Sequence, residues 1–130
     1  MKRNSIFGFI LLSLFMSVLW TTQACKKKTE DPSILKVFVR DENRELLPDA
    51  KVIIIGDTKS NPPTIDYVDT MVTDSQGVSE FDLNTFFEQS GKATLSGYFN
   101  ILVKYGEKIA EGKTRVKRNI VSVETVYFEP

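Results

Sequence analysis

For most of its length this sequence predicts an all-β fold: a small antiparallel Greek-key β-sandwich of about seven strands with one short helix, preceded by a signal peptide. Three observations carry that expectation. From Ile34 the apolar residues alternate with period two. "AKVIIIG", residues 50–56, is a β-branched run. Turn residues separate such runs at short intervals, as in "DSQG" at 74–77. Period-two alternation puts successive side chains on opposite faces of a strand, and β-branched side chains fit a pleated surface.

The leader comes first. Lys2 and Arg3 precede "IFGFILLSLFMSVLW", residues 6–20, which carries no charge, and the first acidic residue is Glu30. A basic start, an apolar run and then small or polar residues form a secretory signal peptide. A spanning helix needs about 20 apolar residues, so the run is short for a permanent membrane span. The expected organisation is a signal peptide over 1–24, a polar tether over 25–33 and a sandwich domain over 34–130.

In the domain, Leu35, Val37 and Val39 share one face of "ILKVFVRD", and Lys36, Phe38 and Arg40 the other. Residues 50–56 form a buried strand. "DYVDTMVT" (66–73) and "VSEFDL" (78–83) flank the turn "DSQG", with Asp74 first and Gly77 last, as a type I turn or short hairpin loop prefers. "NILVKY" (100–105) and "NIVSVETVYFE" (119–129) are further strands, and a weaker one covers 114–117. The short helix falls on "TFFEQSG" (85–91), where Thr85 and Glu88 have capping-box spacing and Gly91 a stop. The inward set is Val37, Val39, Val52, Ile54, Phe81, Leu83, Ile101 and Val103.

Composition removes several functions. There is no histidine, the commonest general base and transition-metal ligand. With 17 basic and 17 acidic side chains, the balance argues against nucleic acid as a partner. No G-x-S-x-G elbow and no phosphate-binding glycine loop occurs. No cofactor is expected. Two acidic groupings, Asp66, Asp69 and Asp74, and Asp41, Glu42, Glu45 and Asp49, read as solvated faces; a calcium ion at 41–49 is the alternative for the second. Lys113, Arg115 and Lys117 share a strand face that suits phosphate groups or a mixed-charge surface. Tyr98, Phe99 and Tyr105 read as core or as a sugar-stacking platform.

Cys25 is the only cysteine. It has no disulfide partner in the chain, no companion ligands for a metal and no histidine to activate it as a nucleophile. "TQAC", residues 22–25, resembles the lipobox of bacterial lipoproteins, and "CKKKTEDPS" the polar tether of Bacteroidota-type members. The resemblance implies cleavage between Ala24 and Cys25 and a lipid on the Cys25 sulfur. Ordinary signal peptidase, cutting after Ala24 and leaving a free thiol, is the alternative. Two or more acyl chains anchor lastingly, whereas one binds reversibly.

"VFVRDENRELLPDAKV" (37–52) and "VTDSQGVSEFDL" (72–83) resemble the carboxypeptidase regulatory-like, or transthyretin-like (prealbumin-like), β-sandwich family. The resemblance makes Asp41, Asp74 and Gly77 structural turn residues. Arg44 stands where the family usually has a turn glycine, and Asn43 beside it can adopt a positive φ. Together with the lipobox, the resemblance implies a lipid-anchored cell-envelope accessory protein with a binding or structural role and no catalytic activity. That protein lies at an outer membrane, on its periplasmic or surface-exposed side, with another envelope protein or a polysaccharide as partner. A carbohydrate-binding surface module and a small Asp/Glu-dependent hydrolase are the alternative readings.

Overall fold

The structure, a computed structural model, describes residues 30–130. Ala24, Cys25, the signal peptide and most of the tether lie outside the described residues. Seven strands and one helix follow in the order β1 (Ile34–Arg40), β2 (Lys51–Gly56), β3 (Val68–Val72), β4 (Val78–Asp82), α1 (Asn84–Ser90), β5 (Ser96–Tyr105), β6 (Lys108–Lys117) and β7 (Val121–Tyr127). The all-β sandwich expected is the fold that forms. One sheet has the order β4-β1-β7 and the other β3-β2-β5-β6.

Neighbouring strands pair antiparallel except β1 and β7, which run parallel from Ile34 opposite Val121 to Arg40 opposite Tyr127. This central position buries alternate residues of β1: Leu35, Val37 and Val39 are all 0% exposed. From the facing sheet come Val52 and Ile54 of β2 and Phe99, Ile101 and Val103 of β5. All eight residues of the inward set are buried, so strand alternation assigned these faces correctly. The core cluster runs from Leu35 to Phe128 and lies within one compact unit, Asp31–Pro130.

Three elements differ from the sequence expectation. β6 extends over ten residues, where only 114–117 was expected, and β5 begins four residues earlier than expected, at Ser96. The helix starts at Asn84, and no side chain caps it in the way a Thr85–Glu88 box would. Instead the Asn84 side-chain oxygen accepts the Ser33 N–H at 3.0 Å, tying the helix start to the beginning of β1. Phe86 and Phe87 are the buried face of this helix. Phe86 packs edge-on against Phe99, Phe87 and Tyr67, with ring centroids 4.9, 4.9 and 5.4 Å away. The cluster needs Gly97: a Cβ there would sit 2.7 Å from the Phe86 ring.

Strand direction gives the sandwich two distinct ends. β1 begins beside the tether, where β4 finishes and β7 starts. Its far end meets the β1–β2 loop, the β3–β4 turn and the close of β7. The β5–β6 turn lies at the matching end of the other sheet, since Lys104 and Lys51 are in register.

Candidate functional site: the end opposite the tether

Local hydrogen bonding builds this end. Asp41 follows β1, and its Oδ1 accepts the N–H groups of Asn43 and Glu45 at 2.8 and 3.0 Å. Asp74 follows β3 in the same way, its Oδ1 accepting Gln76 and Val78 at 2.9 and 3.1 Å. Short acidic side chains after a strand satisfy turn N–H groups that no ladder partner reaches. The positive φ of the first loop falls on Arg44, at 66°, and on Asp49, at 61°, rather than on Asn43. The Arg44 carbonyl accepts from the Arg40 guanidinium at 2.7 Å, which holds that conformation.

Gly77 has φ 70°. A Cβ there would lie 2.8 Å from the Leu47 nitrogen, so the second turn packs directly under the first loop. Thr73 completes the join: its hydroxyl donates to the Leu47 carbonyl at 2.8 Å and accepts the Ala50 N–H at 2.8 Å.

Three adjoining depressions of 210, 530 and 520 Å³ open over this end. Glu42 and Phe128 line all three; Leu47 and Tyr105 line the first, and Tyr127 and Glu129 the other two. Glu42 and Lys108 form an ion pair that links the β1–β2 loop to the start of β6. The hydrogen bond to Glu42, then the Glu42 charge, raises the Lys108 pKa, with a smaller contribution from Asp41. Tyr105 and Tyr127 are 43% and 50% exposed, whereas Phe128 beneath is buried. The result is an open surface groove with Phe128 at its base, Tyr105 at one margin, Tyr127 at the other and charges of both signs. Such a lining can stack a ring face and hydrogen-bond hydroxyl groups.

Among the described residues no group of three or more His, Cys, Asp and Glu side chains is placed to hold a metal, the calcium alternative at 41–49 included. The platform of Tyr98, Phe99 and Tyr105 does not form. Phe99 is in the core, Tyr98 lies under the Arg115 guanidinium at 5.7 Å, and Tyr105 is at the far end of β5. Lys113 and Arg115 lie on the outer face of β6, opposite Asn100 and Tyr98 of β5. In the sequence Glu42 is one solvated acid among several, and no local pattern marks Lys108, Tyr127 or Phe128. The Glu42–Lys108 pair spans 66 residues of sequence, and no local pattern reports such a contact.

No family model and no curated protein matches the chain. Among solved structures it is similar to chlorocatechol 1,2-dioxygenase from Pseudomonas putida, at 14% identity and TM-score 0.47, over 81% of this chain and 63% of that one. It is also similar to catechol 1,2-dioxygenase from an Acinetobacter species inhibited by bound mercury (13%, TM-score 0.39, 72% of this chain and 38% of that one). A third is catechol 1,2-dioxygenase from Pseudomonas arvilla (8%, TM-score 0.43, 80% and 54%). The chain thus spans less than two thirds of each of these proteins.

These neighbours are enzymes, and against them the expectation of a non-catalytic accessory protein is corrected. That expectation rested on missing motifs. A missing elbow or histidine removes particular mechanisms, whereas function belongs to sites grafted onto a fold. No substrate or reaction passes from the dioxygenases to this chain, because all three TM-scores are below 0.5.

Proposed function

We propose that this chain is a Bacteroidota-type lipoprotein, anchored in the cell envelope at an outer membrane through a lipid on Cys25. Its transthyretin-like sandwich, akin to carboxypeptidase regulatory-like domains, recognises a hydroxyl-rich ligand, a polysaccharide segment of the envelope, at the end opposite the tether. Support for the anchor is the position of Cys25 directly after Ala24 and an apolar leader, followed by a polar tether. The observation that carries the recognition reading is the groove itself. The Glu42–Lys108 pair supplies donors and acceptors over a buried Phe128, and half-exposed Tyr105 and Tyr127 flank it. Sugars present apolar ring faces and polar hydroxyls together, and this lining offers partners for both.

Titration of the protein with oligosaccharides from its own envelope, followed by NMR, tests the groove. Shifts confined to residues 41–47, 105–108 and 127–129, weakened by Tyr127→Ala, support it. Shifts elsewhere, or none, reject it. Shortened oligosaccharides in the same tubes would place hydrolysis at the groove. The anchor is tested separately by mass spectrometry of the amino-terminal peptide from native envelopes: acyl mass on Cys25 supports it, and an unmodified thiol ends it.

A further inference from the structure

The outer face of the four-stranded sheet is chemically unlike the rest of the domain. Strand register places Ile53, Ile55, Val68, Val72, Leu102 and Ile109 side by side on it. Val68, Val72 and Ile109 are 60%, 56% and 60% exposed. A shallow depression of 420 Å³ lies in this face, lined by Ile55, Asn100, Leu102, Glu111 and Lys113 among others. Lys51, Lys104, Lys113, Arg115 and Lys117 stand on the same face, and Glu111 is the one acid among its paired strand residues.

The charge is concentrated there. Setting aside Lys2, Arg3, Lys26, Lys27 and Lys28 leaves 12 basic side chains and 17 acidic ones over residues 30–130, a net charge of −5. The paired strand residues of the face hold five of those cations and one of those anions, so they carry +4 and the remainder of the domain −9. Two copies meeting through this face would set +4 against +4, which disfavours a symmetric pair. A soluble polyanion would answer the cations and leave six apolar side chains wet. An anionic leaflet answers both, because headgroups pair with lysine and arginine while aliphatic side chains enter the interface.

We propose that the outer face of the β3-β2-β5-β6 sheet docks on an anionic membrane surface, so that the sandwich lies along the membrane. The occupant follows from charge complementarity and from the length of chain before the domain. The nine residues from Cys25 to Ser33 reach about 30 Å when extended, enough to let the domain turn its sheet to the surface. Lys26, Lys27 and Lys28 put the same charge beside the anchor. The orientation rests on the lipid-anchor reading; the affinity of the face for anionic lipid does not. In this arrangement the groove at the end of the strands opens sideways, parallel to the surface.

Residues 30–130, which contain the compact unit Asp31–Pro130, are the protein to test, because they lack both the anchor and the lysine tether. Their sedimentation with phosphatidylcholine vesicles containing 30 mol% phosphatidylglycerol, chosen as about a third anionic lipid, should exceed that with phosphatidylcholine alone, and should fall with added salt. The pair K113E/R115E should lower partitioning at least about tenfold. I109S should lower it severalfold at every salt concentration. K92E, at an exposed turn outside the strands, should stay within about twofold, and each variant used should keep the wild-type thermal midpoint. Equal partitioning of K113E/R115E and K92E overturns the proposal. So does poor vesicle binding combined with tight binding of polyglutamate, which would identify a soluble polyanion as the occupant. Either result leaves the acyl mass on Cys25 untouched, so failure of the face and failure of the anchor are read separately.

Discussion

Asp41 and Asp74 play the same part at the ends of two strands in opposite sheets. Each uses one carboxylate oxygen to hold the N–H groups two and four residues further on. The loops they shape are pressed together: a Cβ on Gly77 would lie 2.8 Å from the Leu47 nitrogen. Replacing either aspartate by alanine removes two charge-assisted hydrogen bonds at an exposed site. Asp41→Ala and Asp74→Ala should each cost about 1 to 2 kcal/mol. Glu45→Ala, which changes a charge without a turn contact from its side chain, should stay within about 0.5 kcal/mol. Urea denaturation gives the order; equal costs for all three would separate these turns from stability.

Gly77 has two reasons to resist a side chain. Its φ is 70°, where a β-branched residue is strained, and a Cβ would meet the Leu47 nitrogen at 2.8 Å and the Leu46 Cβ at 2.9 Å. Gly77→Val should therefore cost about 2 to 4 kcal/mol, from strain plus displacement of the first loop. Gln76→Ala, one residue earlier and exposed, should be near neutral. A Gly77→Val protein that melts with the wild type would show that the two turns are not packed as described.

What could be read from the sequence was what short range dictates. The faces of β1 and β2 follow from alternation because these strands sit within their sheets and bury one full row each. The aspartate turns involve partners two and four residues away. β6 escaped in its first half because it is a sheet edge with charged outward residues and Gly112 on its inner row. Its strand character comes from pairing with β5, from Tyr105 opposite Lys108 to Ser96 opposite Lys117. The parallel pairing of β1 with β7 and the Glu42–Lys108 pair are non-local, so the groove they help form was not legible in any window of sequence.

Tyr67 gives the domain a pH response at the alkaline side. Its ring stands edge-on to Phe86 and Phe99, with centroids 5.4 and 6.2 Å away. Burial raises its pKa above the ordinary tyrosine value, and the charges of Asp69 and Asp82 add to the effect. A raised folded pKa means that the unfolded chain releases this proton first. The stabilisation is complete below the unfolded value of about 10 and is lost as pH rises through the folded one. Lys108 acts with the same sign, its ammonium being held by Glu42. Tyr67→Phe separates the two. The stability of wild type minus that of Tyr67→Phe should fall between about pH 9 and 11.5. A gap constant across that range would mean that the phenol does not sense its surroundings.

Arg118 fastens the helix to the sheet that follows it. Its Nε donates to the Thr94 carbonyl at 2.9 Å, and one terminal nitrogen donates to the carbonyls of Phe87 and Gly91 at 3.1 and 2.7 Å. The guanidinium also lies over the Phe87 ring, 5.0 Å from its centroid. A seven-residue helix is too short to persist alone, and its last carbonyls have no partners within the helix. One side chain answers both needs, since a planar cation can reach several carbonyls while stacking on a ring. Arg118→Ala should cost about 2 to 3 kcal/mol, because three acceptors lose a charged donor and Phe87 loses its cover. Arg118→Lys keeps the charge but not the fork, and should recover less than about half of that. Hydrogen exchange should locate the damage: amides of 84–95 lose protection in both variants, while those of β1 and β2 follow only the global stability. An Arg118→Lys protein with wild-type stability and unchanged exchange over 84–95 would mean that charge alone holds the helix, and that the geometry of the guanidinium contributes nothing.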